Sequence, residues 1–137
     1  MAPLYRLADR VRYRLHGNSG KRGEDLAHRY LRDRGMLIVA RNWRPPQGGG
    51  EIDLIASEPS ASGSSDATLV FVEVKFRTSD EWSAPERNVD EEKRIALRRA
   101  ALDYVRRARA DPGRLRFDVI AITGGKIEHL RDAFPPL

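Results

Sequence analysis

The chain has 137 residues, 40% of them hydrophobic, and its 25 lysines and arginines against 20 aspartates and glutamates give a formal net charge of +5. That length supports one compact domain with a real core and excludes two. With no cysteine there are no disulfides, thiolate zinc sites or cysteine nucleophiles, as fits a cytoplasmic protein, and neither a run of the ~20 apolar residues a membrane helix needs nor an uncharged, signal-like N-terminus occurs.

The charge is unevenly spread. Residues 1–47 hold 11 basic against 4 acidic side chains, residues 48–92 hold 3 against 11, and residues 93–137 hold 11 against 5. Basic flanks around an acidic middle suit a protein that grips a polyanion with its periphery and binds metal at its centre. Arginines on solvated helix faces give the same pattern, so charge alone does not decide.

In chain order, Leu4, Leu7, Ala8, Val11 and Leu15 form a helical stripe with Arg6, Arg10 and Arg14 around it, which predicts a short amphipathic helix in an N-terminal extension over residues 1–20. It either packs on the domain, pairs with another subunit or rests on phosphates. Gly17-Asn18-Ser19-Gly20 breaks it, and residues 21–137 form the main domain. The next helix runs from near Lys21 to Gly35, with Ala27, Tyr30, Leu31 and Arg34 on one face and Glu24 pointing inward at its start. An acid there complements the helix dipole by some 0.3–1 kcal/mol. Leu37 to Trp43 reads as the first strand, which Pro45 and Pro46 stop before Gly48, Gly49 and Gly50 permit a reversal into Glu51.

Ile52 to Ala56 and Leu69 to Phe76 read as an antiparallel pair joined by the polar loop Ser57 to Thr68. Alternation puts Glu51, Asp53 and Ile55 on one face and Ile52, Leu54 and Ala56 on the other; Phe71, Glu73 and Lys75 share a face opposite Val70, Val72, Val74 and Phe76. The second run is apolar enough to be covered on both sides, where an unpaired ion costs several kcal/mol. Two carboxylates at roughly 5 Å repel by about 3 kcal/mol at an effective dielectric of about 20, so holding both ionised requires a cation. A divalent metal supplies one.

Residues 77–92 are irregular until about Val89, with Trp82 either stacking on a base or covering the core. Asp90 to Arg109 is a helix with Leu97, Ala101, Tyr104, Val105 and Ala108 in its stripe, acids at its start and Pro112-Gly113 past its end. Lys93, one turn ahead of Leu97, either snorkels past the core or points toward the carboxylates. Arg116 to Ile122 is an interior strand whose Asp118 reads as a buried acid paired with arginine, and Lys126 to Leu130 adds a short edge strand. The order helix, three strands, helix, strand implies an α/β sandwich whose first three strands meander and whose last returns beside the third.

The order Asp53, nineteen residues, Glu73-Val74-Lys75 resembles the D…ExK signature of the PD-(D/E)xK nuclease superfamily, with its restriction-endonuclease-like α/β sandwich and αβββαβ core. As a bare pattern it is weak. With GEIDLIA, VFVEVKFR, the upstream GEDLAHRYLRDRG, RNWR, a lysine-containing helix and RFDVIAI, it resembles the bacterial YraN-like family of uncharacterised proteins, over about residues 20–134. That family is related to archaeal Holliday-junction resolvases. The resemblance implies a DNA endonuclease using Mg²⁺ or Mn²⁺, possible action on branched DNA, and a homodimer. It implies metal ligation by Asp53, Glu73 and the Val74 carbonyl, with Lys75 acting on the attacking water. It also implies Glu24 and Lys93 beside the site, and Arg41, Arg44 and Arg77 toward nucleic acid. Ser83 departs from the family's usual glycine two places before the proline.

Other chemistries lack their partners. His16, His28 and His129 show no metal spacing and read as surface histidines; the serines have no histidine placed to activate them; and the three glycines precede a strand, not a helix. A nucleic-acid-binding module that does not cut and a protein-interaction scaffold are the rival readings.

Overall fold

Five strands rich in β-branched and aromatic residues pair side by side in chain order, β1-β2-β3-β4-β5. A computed structural model gives residues 19–63, 66–77 and 91–136, as α1 (Ser19–Asp33), β1 (Leu37–Trp43), β2 (Ile52–Glu58), β3 (Thr68–Arg77), α2 (Glu91–Ala108), β4 (Leu115–Thr123) and β5 (Lys126–Phe134). The N-terminal helix expected over residues 1–16, and the stretch with Trp82 and Ser83, lie outside the described residues.

β1, β2 and β3 form an antiparallel meander, and α2 carries the chain over to β4, which runs parallel to β3 from Leu69↔Leu115 to Arg77↔Thr123. Period-2 alternation then splits the core into two layers. Ile55, Phe71, Phe117 and Val119 pack on Leu97, Ala100, Ala101 and Val105 of α2, while Leu54, Ala56, Val70, Val72, Ile120 and Ile122 pack on Ala27 and Leu31 of α1. The result is the expected α/β sandwich, one mixed sheet with a helix on each face. β5 is longer than the short edge strand expected, nine residues paired antiparallel to β4.

Both helices close with paired end-hydrogen bonds. In α1, Met36 N–H donates to the Leu31 carbonyl (3.1 Å) and Gly35 N–H to that of Arg32 (3.0 Å), with Gly35 at φ 88°. This is the left-handed cap that glycine favours, and Met36 and Leu31 seal it in the core. In α2 the same pair of bonds, Ala110 to Val105 and Arg109 to Arg106, turns on Arg109 at φ 54°. Two face assignments need correction: Arg34 is exposed and stacked 3.9 Å over the Tyr30 ring, and Ala108 is exposed while Ala100 is buried.

Irregularities in β1 decide which way several side chains point. Between Ile38↔Ala56 and Ala40↔Ile55 the register gains one residue at Val39. This bulge inverts the alternation, so Ala40 joins the α2 layer and Arg41 turns to the α1 face. Asn42 follows with φ 51°. Beyond it Trp43 and its partner Ile52 both lie in the α2 layer, with Trp43 edge-on to Tyr104 at 5.4 Å. Ile52 was expected beside Leu54 and Ala56; the kink at Asn42 breaks that pattern.

Candidate active site

The ladder between β2 and β3 ends at Leu54↔Val72. One residue further along β2, Asp53 supplies from its side chain the acceptor that the backbone no longer provides: Val74 N–H donates to Asp53 Oδ2 at 2.8 Å. Glu73, beside that amide, is buried, and its Oε1 lies 2.9 Å from Lys93 Nζ at the start of α2. Glu73 Oε2 is also buried and has no hydrogen-bond partner. Burial first, then the charges of Glu73 and Glu24, push Asp53 up to about 8, against the lowering effects of Val74 N–H and Lys93. Glu24, Asp53, Glu73 and Lys93 thus form one electrostatic cluster, drawn from the starts of both helices and from the central hairpin.

Close backbone approaches set this geometry. A Cβ on Gly23 would stand 3.1 Å from the Phe76 side chain and 3.7 Å from Val74, so the first turn of α1 lies directly on the end of β3 and carries Glu24 to the cluster. A Cβ on Gly50 would meet Ala96 at 3.0 Å from its Cβ and 3.2 Å from its backbone. α2 therefore rests on the chain just ahead of Asp53, one turn beyond Lys93.

The remaining expected residues divide. Lys75 is half-buried two residues after Glu73, opposite Ala121 of β4. Arg44 is exposed on the rim and donates twice to Glu51 Oε2, at 3.0 and 2.7 Å. Arg41, expected at nucleic acid, is instead turned inward by the bulge at Val39: its guanidinium is 9% exposed, 2.7 Å from the fully buried Asp25 and 3.8 Å from Glu24. It braces the Glu24 end of the cluster against β1. Arg77 is likewise 9% exposed and stands 3.7 Å from Glu128, which makes it a poor surface donor.

Two histidines read as surface residues are buried in polar contacts. His28 lies 3.4 Å from Arg41 through Nδ1, and His129 Nε2 lies 2.7 Å from Asp118 Oδ2. Asp118 is the arginine-paired buried acid expected, gripped by Arg116 at 2.8 and 3.0 Å and by the Asp132 amide at 2.9 Å. The Asp25, His28 and Arg41 network was missed; the one signal was the three-residue spacing of Asp25 and His28 beside the Ala27 and Leu31 stripe.

No three His, Cys, Asp or Glu side chains among the described residues stand close enough to enclose a metal ion. The donor set nonetheless fits a small hard cation, which binds through one or two carboxylates and keeps several waters. Asp53 and Glu73 are two mutually repelling carboxylates, and Glu73 Oε2 is a buried oxygen that lacks a donor. Among the described residues no helix is long and apolar enough to cross a membrane.

The fold and site define the class: a mixed-sheet α/β sandwich with an acidic pair where its central hairpin opens. Residues 23–122 match the family described as Uncharacterised protein family UPF0102, and the chain belongs to it. A UPF0102 protein of Solibacter usitatus is 50% identical over 96% of this chain and 97% of its own length. Those of Rhodococcus opacus and Thermodesulfovibrio yellowstonii are 43% and 41% identical, each over 84% of this chain and 94% of their own lengths.

Proposed function

We propose that this protein is a divalent-metal-dependent endodeoxyribonuclease of the PD-(D/E)xK type that hydrolyses phosphodiester bonds, with branched DNA the preferred class of substrate. The observation that carries the reading is the convergence of Asp53 and Glu73 at the opening of the β2–β3 ladder, where Asp53 is pushed up to about 8 in the absence of a second cation. Asp53 and Glu73, with the Val74 carbonyl, would hold Mg²⁺ or Mn²⁺. Bound there, such an ion acidifies water and offsets charge developing on the phosphate.

The chain's own groups do the rest. Val74 N–H fixes one Asp53 oxygen and so aims the other. Lys75, on the face of β3 that carries Glu73, orients or deprotonates the water that attacks phosphorus, and its charge offsets that of the phosphate. The P–O3′ bond breaks, leaving a 3′-hydroxyl and a 5′-phosphate. Lys93 neutralises Glu73 in the resting site; half exposed, it can swing aside when a metal or phosphate arrives. Arg44 on the rim is the exposed cation nearest Glu51 and meets the DNA backbone.

The Lys93–Glu73 pair also favours a second reading, a DNA-binding module whose internal cation makes metal unnecessary. Labelled linear and branched DNAs incubated with the wild type and with Asp53→Asn, in Mn²⁺ or in EDTA, separate the two. Cleavage by the wild type in Mn²⁺ alone, lost by at least ~100-fold in the variant, is expected. Binding without products in any condition would leave only the module, and equal products from both proteins would remove Asp53 from the chemistry.

A further inference from the structure

A groove of about 660 Å³ runs between the 45–50 loop and α2. Its exposed apolar surface includes Leu102, which is 42% exposed, while the lining residues Ala100 and Val105 are themselves buried. Its lining carries three arginines and one acid, Asp103. Arg99 and Arg106 lie at i and i+7 along α2, hence on one side of the helix and ~10 Å apart along its axis, and Arg109 follows just past the helix end. Among the described residues the Arg99 and Arg109 side chains have no ion-pair or hydrogen-bond partner, and that of Arg106 has only Asp103, at 3.6 Å with the arginine 78% exposed. Most other arginines on α2, such as Arg98 and Arg107, are engaged with neighbours.

The opposite wall is bare backbone. Gly48 and Gly49 hold φ of 89° and 116°, a conformation that excludes most side chains and leaves the main chain open to a ligand. Arg109 adds a further sign: it occupies the left-handed position at the end of α2 where glycine is the favoured residue. A long cation kept at a strained backbone position, aimed into a groove that holds two more, is better explained by a ligand than by the helix.

We infer that this groove binds unpaired nucleotides of a single-stranded nucleic acid, with phosphates on the Arg99, Arg106 and Arg109 guanidinium groups and a base against the exposed Leu102 side chain. A track for duplex phosphates alone needs no exposed apolar side chain, and an uncharged ligand needs no arginines. Position selects nucleic acid over an acidic peptide. Gly50 and Ala96 both line the groove, Gly50 three residues before Asp53 and Ala96 one turn beyond Lys93, so the groove begins next to the elements that carry the carboxylate pair and its lysine. The inference rests on the nuclease reading of that pair and specifies its substrate: DNA with a single-stranded branch or flap.

Fluorescence anisotropy of labelled oligothymidylate in EDTA tests binding apart from cleavage. The wild type should bind it more tightly than a blunt duplex. Arg99→Ala/Arg106→Ala should weaken it by at least ~10-fold and make the dependence of log affinity on log salt shallower by ~1.4, about 0.7 for each lost phosphate contact. Arg109→Gly should weaken binding while raising the thermal midpoint, a combination that misfolding cannot produce. Unchanged binding in the double variant, preference of the wild type for duplex, or loss in that variant of an acidic peptide with oligothymidylate unaffected would each overturn the inference. Cleavage in Mn²⁺ is scored separately: its absence in the wild type sinks the nuclease reading, whereas intact oligothymidylate binding by the double variant sinks the groove.

Discussion

Asp53 and Asp118 each fill a gap in a strand ladder and accept a backbone N–H there, from Val74 and from Asp132. Their surroundings then separate them. Hydrogen bonds from His129, Arg116 and the Asp132 amide outweigh burial and hold Asp118 at about 2, whereas burial and two neighbouring acids push Asp53 up to about 8. One carboxylate is satisfied by paired donors; the other has one backbone donor and the charge of Lys93 set against burial and two acids. The consequence for stability has a definite sign. Between about pH 4 and pH 8 the folded protein keeps a proton on Asp53 that the unfolded chain has released, so stability falls as pH rises through that window. Asp118, lowered, acts oppositely: its stabilisation is present above about pH 4 and is lost as pH falls through about 2. Urea unfolding in EDTA should therefore show Asp53→Asn, which keeps an acceptor for Val74, to be more stable than the wild type at pH 8 by about 1–3 kcal/mol and closer to it at pH 5. A pH-independent difference would mean that Asp53 is ionised throughout.

At the level of elements, what could be read from the sequence was what alternation and helical period dictate. The first strand falls at Leu37–Trp43 as expected, and the helix expected over Asp90–Arg109 runs Glu91–Ala108. The meander and the helical return to β4 followed from those patterns. What escaped depends on contacts distant in the chain or on single backbone angles. The bulge at Val39 and the kink at Asn42 have no signature in a run of apolar residues, yet they send Arg41 inward and Ile52 to the α2 layer. His28 is buried because of Arg41, thirteen residues on. Gly50 looked like part of a turn and proves to be a helix contact. Gly50→Ala would place a methyl 3.2 Å from Ala96 backbone, which cannot yield as a side chain can. It should cost about 1–3 kcal/mol in urea unfolding, and it should shift the Lys93 ammonium resonance, since α2 must move relative to Glu73. The end of α2 gives the reverse expectation. An L-residue at left-handed φ costs roughly 1–2 kcal/mol and glycine's extra entropy returns about half, so Arg109→Gly should stabilise by about 0.5–1 kcal/mol. Loss of stability in that variant would show that the arginine side chain supports the fold.

Over the whole molecule, Asp53 and Glu73 stand where the β2–β3 ladder opens, while Arg44 of the β1–β2 loop and Arg99 of α2 are exposed cations on the elements beside it. On the proposed reading, a polyanion would meet the carboxylate pair with these cations beside it. All of it depends on Asp53 and Glu73 taking up a divalent ion, and proton bookkeeping tests that step without reference to any substrate. Because burial and the neighbouring acids raise Asp53, binding an ion there should release a proton. Titration calorimetry of Mn²⁺ at pH 7, repeated in buffers of different ionisation enthalpy, should show a single site that releases about one proton per ion in the wild type, and no such site in Asp53→Asn or Glu73→Gln. Binding that releases no proton, or that persists unchanged in both variants, would contradict the account.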